Sequence, residues 1–144
     1  MLTTRRIMVK KIDIEELYWV DWNEISRKPE KLNEIFAYIR DYDSRNIEEL
    51  GKILKLYSNP SGEFTIEFAK IVGEIYKNDK IKFIKALNLV RDEAINLVYV
   101  FRMEKIFEDE DKESTEILSS NQLTEEEIDT TYTFFKMYKT ICAT

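Results

Sequence analysis

The stretch AINLVYVF, residues 94–101, decides how the chain is read. It is apolar on almost every side, and eight such residues suit a short buried strand as well as a buried helix. A strand needs a partner, and no other segment of the 144 residues is a strand candidate. The segment therefore reads as part of a helix over 93–107, buried on several faces and placed at the centre of the core.

The neighbouring windows repeat at helical spacing. A helix over 80–90 precedes it, with a break near Arg91-Asp92, and before that Phe64, Phe68, Ile71, Val72 and Ile75 mark the inner face of another, closed by Asn78-Asp79. Further upstream, Ser58-Asn59-Pro60-Ser61-Gly62 is the clearest interruption, because Pro60 drives Asn59 out of the helical region. Asn46 and Glu49 have cap spacing ahead of Ile47, Leu50, Ile53, Leu54 and Tyr57; Pro29 opens a helix with Leu32, Ile35, Phe36 and Ile39 inside. Residues 13–27 place Ile14, Leu17, Tyr18, Trp22 and Ile25 on one face. Downstream, Thr124 and Glu127 form a capping box for a last helix with Ile128, Tyr132, Phe135 and Tyr138 inward.

These windows predict an all-α fold: a single compact domain of about six or seven amphipathic helices over 12–144, preceded by a basic leader at 1–11. The helices would form a bundle or a short repeat-like stack of antiparallel pairs. LGKILK at 50–55 and VGEIYK at 72–77 each carry a mid-helix glycine, which suggests close helix approach at Gly51 and Gly73. Their offset is shorter than that of the usual helical repeats. Ile35, Phe36, Leu54, Phe68, Ile71, Leu87, Val98 and Phe101 are the expected core.

Charge is polarised. The net charge is -6, yet residues 104–129 hold eleven acids against Lys105 and Lys112, while 1–11 hold Arg5, Arg6, Lys10 and Lys11 with no acid. The acidic excess argues against nucleic-acid binding, which rests on neutralising phosphates. Residues 108–123, EDEDKESTEILSSNQL, are polar and poorly periodic, and read as a solvated acidic loop. Calcium-loop spacing fails there: counted from Asp109, the positions for the turn glycine and the closing glutamate hold Ser114 and Ser120.

The chain has no histidine, which removes the commonest general base, the usual zinc and haem ligand, and every Ser-His or Cys-His pair. Carboxylate pairs, Lys and Tyr could still serve as acid and base, but no nucleophile elbow, phosphate loop or metal motif accompanies them. Cys142 has only Lys136 and Lys139 nearby and reads as a bland thiol. No catalytic residue, cofactor or metal is therefore expected. With one cysteine no internal disulfide forms, which tilts the expectation toward a cytoplasmic setting; an extracytoplasmic one stays open for a chain whose signal has been removed. No run is apolar enough to cross a membrane.

By elimination, the expected function is a non-enzymatic protein-interaction domain, an inhibitor, immunity or adaptor protein with an acidic face for a basic protein partner. The alternative is a structural or ligand-holding domain of an extracytoplasmic assembly, with a groove lined by Trp19 or Tyr38. Candidate partner-binding residues are Glu108, Asp109, Glu110, Asp111, Glu113 and Trp19. Trp19 and Val20 point away from their helix stripe; cover by a neighbouring helix is preferred over an exposed anchor. Tyr38 and Tyr76 lie beside their stripes.

Overall fold

The computed structural model describes residues 14–19, 21–56 and 63–143. The basic leader at 1–11, Val20 and the Ser58–Gly62 break lie outside the described residues, as do the side chains of Phe64 and Cys142. Those described form an all-α domain without strands, and its packed helix pairs fit a bundle.

A 3₁₀ segment, Ile14–Trp19, leads into α1 (Trp22–Ile25). Then come α2 (Pro29–Arg40), α3 (Ile47–Leu56), α4 (Glu63–Asn78), α5 (Lys80–Leu89), a 3₁₀ turn Arg91–Glu93, α6 (Ala94–Met103), α7 (Glu110–Leu118) and α8 (Glu125–Ala143). The expected helix over 13–27 is thus two short pieces. Asp21 divides them: its carboxylate accepts from the Asn23 and Glu24 amides at 3.0 and 3.3 Å and starts α1 afresh.

The other starts follow the sequence signals. The Glu49 amide donates to Asn46 Oδ1 at 2.8 Å while the Asn46 amide donates back to Glu49 at 3.3 Å. Thr124 and Glu127 make the same reciprocal pair at 2.9 and 3.2 Å. The AINLVYVF segment is helical within α6, which stops at Met103 rather than 107. Lys105 adopts φ 50°, the Ile106 amide reaches back to Phe101 O at 3.0 Å and the Lys105 amide to Arg102 O at 3.2 Å, a Schellman closure. That turn folds Ile106 and Phe107 back into the core.

All eight expected core residues are buried. At the centre, the Phe101 ring lies 5.1–5.3 Å from those of Tyr76, Phe83, Phe107 and Phe134, with Phe107 stacked on Phe135 at 4.8 Å. At Gly51 the expected close approach is not tight, since a Cβ there would stand 3.4 Å from Ala86 O on α5, an ordinary contact. At Gly73 the neighbour is the Ile106 side chain, 2.5 Å from where a Cβ would stand.

Helices α6 and α8 run side by side in one direction: Arg91 meets Asp129 at 2.6 Å at one end, and Arg102 donates to Ile141 O at 2.8 Å at the other. Lys85 to Glu127 at 2.8 Å, Asn88 to Glu126 at 2.9 Å and Thr130 to Asn88 at 2.6 Å fasten the start of α8 to α5.

Several side chains lie elsewhere than their stripes predicted. Tyr132 is exposed; Phe134 takes the inward place, because α8 turns Thr130 and Thr131 into the core. Tyr76 is fully buried rather than peripheral. α6 buries Ala94, Leu97, Val98, Val100 and Phe101 but leaves Ile95, Tyr99 and Met103 exposed.

Candidate functional site

The acidic run expected as a loop at 108–123 is in the structure largely a helix, α7. Asp109 caps it, accepting from the Lys112 amide at 3.2 Å, and Glu110, Asp111 and Glu113 occupy the first turn, where the helix dipole favours negative charge. The helix has little apolar surface, and Ile117 is its buried anchor. Polar contacts with the rest of the domain supply what apolar burial does not.

Glu113 is the principal one. Its side chain is 15% exposed, and Oε1 accepts from Tyr76 Oη at 2.6 Å and from Lys80 Nζ at 2.9 Å. Lys80 also reaches Glu116 at 3.8 Å and lies 5.6 Å from the Tyr76 ring centroid. Tyr76 and Lys80 stand on either side of the α4–α5 junction, where Asp79 caps α5 by accepting from the Lys82 amide at 3.0 Å. Burial, then the hydrogen bond to Glu113, holds the Tyr76 phenol far above the usual tyrosine range. It is therefore a permanent donor. On the opposite flank of α7, Asp111 pairs with Lys139 of α8, and that hydrogen bond raises the Lys139 ammonium above its ordinary value.

At the start of α8, burial pushes the Glu127 carboxyl upward. Hydrogen bonds from Lys85 and from the Thr124 amide outweigh it, so the group stays ionised below the usual carboxylate range. α7 packs on α8 to make an α7–α8 edge; Glu108, Asp109, Asp111 and Glu116 are exposed at α7, and Glu125, Glu126 and Asp129 at the start of α8. Glu104, Glu108, Glu110 and Glu125 make no ion pair among the described residues.

The six candidate residues are not brought together. Glu108 to Glu113 share the start of α7, with Glu113 turned inward and the other four toward solvent or half-buried. Trp19 sits on the 3₁₀ segment packed against α3 and is 88% exposed, against the preferred expectation that a helix covers it. Tyr38 lies under the buried Arg45 guanidinium, 4.1 Å from ring centroid to Cζ. Sequence reasoning missed Tyr76, Lys80 and Lys139, which hold α7 from elements 30 or so positions away in the chain.

Hollows adjoin α7 on both flanks. Beside the α4–α5 junction, Lys80, Lys112, Glu108, Glu113 and Glu116 line about 330 Å³ of mixed charge. Between α7 and α8, Leu118, Tyr132 and Phe135, with Lys136 and Lys139, line about 350 Å³ of mostly apolar groove. Among the described residues no group of three or more carboxylates or thiols could hold a metal ion, and no helix is long and apolar enough to cross a membrane. Compared with known families, curated proteins and solved structures, the chain matches none.

Proposed function

We propose that the protein is a non-enzymatic interaction domain that presents the α7–α8 edge to a basic protein partner. The observation that carries this is the ordered state of the acidic run. Its carboxylates stand on, or just ahead of, a helix capped by Asp109 and clamped through Glu113, so binding them costs little ordering of the backbone. Carboxylates fixed in this way steer encounter and select a partner of opposite charge. The inward-facing acids Glu113 and Glu127 are engaged with Lys80, Lys85 and Tyr76, so their role is to hold the edge in place.

The test begins with a partner captured at low salt, identified and purified. Its association rate should fall with rising salt, with dissociation changing less. The variant Glu108→Gln, Asp109→Asn, Glu110→Gln, Glu125→Gln should slow association by at least about fivefold at low salt. Asn at 109 retains the cap, so α7 stays formed. Association indifferent to both salt and the replacements would refute the proposal.

A second reading, ligand holding, draws support from the apolar groove between α7 and α8, where Lys136 makes no ion pair among the described residues. Heat on titrating decanoate, lost in Leu118→Lys, would favour it; no heat would dismiss it.

A further inference from the structure

Helix α6 has two faces. One carries Leu97, Val98 and Phe101 into the core; the other shows Ile95, Tyr99 and Met103, exposed by 43, 56 and 49%. These three recur every four residues and therefore form one continuous stripe. Scattered exposed apolar residues are ordinary, but three in register on one helix form a patch of the kind found at interaction sites.

Charges stand at both ends of that stripe. Asp92, in the 3₁₀ turn that leads into α6, is three residues before Ile95 and exposed. Arg102, three residues after Tyr99, is exposed too and donates to the Ile141 carbonyl. Neither makes an ion pair among the described residues. Ten residues of helix separate them by about 15 Å.

We propose that this face is a self-association surface on which a second copy of the chain docks with its α6 antiparallel. A two-fold axis passing beside Leu97 brings Asp92 of each copy to Arg102 of the other and sets Ile95 against the second copy's Tyr99. A single self-complementary patch then meets itself, as a closed dimer requires. A parallel arrangement would oppose Asp92 to Asp92 and Arg102 to Arg102, so the charges select the antiparallel one. The stripe is carried by α6, although Arg91 and Arg102 beside it reach α8, and the inference does not rest on the proposed function.

Sedimentation over a concentration series should show the mass rising from 17.3 kDa toward twice that value. Asp92→Arg and Arg102→Asp should each weaken the dimer by about tenfold. Mixing the two single variants should restore it, because each supplies the charge the other lacks, and the double variant should associate as wild type does. Tyr99→Glu, at an exposed position, should be monomeric with unchanged helicity; it keeps the test readable if Arg102→Asp fails to fold. A wild-type chain monomeric throughout the series would overturn the proposal. So would single variants that associate no better mixed than apart, or a Tyr99→Glu variant that dimerises normally.

Discussion

The hold of Tyr76 and Lys80 on Glu113 can be measured by a double-mutant cycle. Tyr76→Phe removes one hydroxyl and leaves the ring contacts with Phe83, Phe101 and Phe107 at 5.1–5.4 Å in place. A hydrogen bond to a charged acceptor contributes about 1.5–3 kcal/mol; Glu113 keeps Lys80 at 2.9 Å, so the lower part of that range, about 1.5–2 kcal/mol, is expected. Glu113→Ala leaves the Tyr76 hydroxyl buried without its acceptor and should cost about 2–3 kcal/mol. In the double variant neither group is stranded, so the two losses should fall short of adding by about 1–2 kcal/mol in urea unfolding. The pH dependence has a definite sign. The folded phenol holds its proton above the unfolded value of 10.0, so its contribution is complete below pH 10. Above pH 10 the unfolded chain ionises first, and the difference between wild type and Tyr76→Phe should shrink by up to about 1.4 kcal/mol per pH unit. Losses that add to within about 0.4 kcal/mol, or a difference flat through pH 10–11, would refute the reasoning.

Other substitutions probe the packing and the turn. Phe101→Ala empties the middle of the aromatic cluster and should cost about 3–5 kcal/mol, lowering the thermal midpoint by roughly 10 °C. Gly51→Ala meets only ordinary contacts and should stabilise by up to about 1 kcal/mol in urea titration, whereas Gly73→Ala collides with the Ile106 tip and should gain only when combined with Ile106→Val. Lys105→Gly relieves the positive φ at the end of α6 and should raise stability by about 0.5–1 kcal/mol, read from the urea midpoint.

What could be read from the sequence was what is local. Caps at Asn46 and Thr124 depend on residues three apart, and stripes such as Ile35, Phe36 and Ile39 on one or two turns. α7 escaped because its order is tertiary. Its cap at Asp109 is visible in the sequence, but only Ile117 and Leu118 hint at an inner face, and its main fastening comes from Tyr76, 37 residues earlier. On α8, Phe135 and Tyr138 are buried as their spacing predicts, while Tyr132 is exposed for a related reason. Thr130 and Thr131 enter the core only because Asn88 Oδ1 and the Glu127 carbonyl accept their hydroxyl protons, so buried polar residues broke the apolar pattern. For α6 the failure ran the other way, since an apolar sequence shows that a face can be buried and not that a neighbour is there to bury it.

The place of α8 in the chain has a consequence for how the protein reaches its native state. Phe134, Phe135 and Tyr138 close over Phe101 and Phe107 from a helix that follows every element it covers. A ribosome therefore releases the greater part of the bundle before its aromatic centre can be sealed. For that interval the nascent chain shows a greasy surface to chaperones and to other unfinished copies. A premature stop codon ahead of Phe134 would make that state permanent, turning a transient liability into an aggregation-prone product.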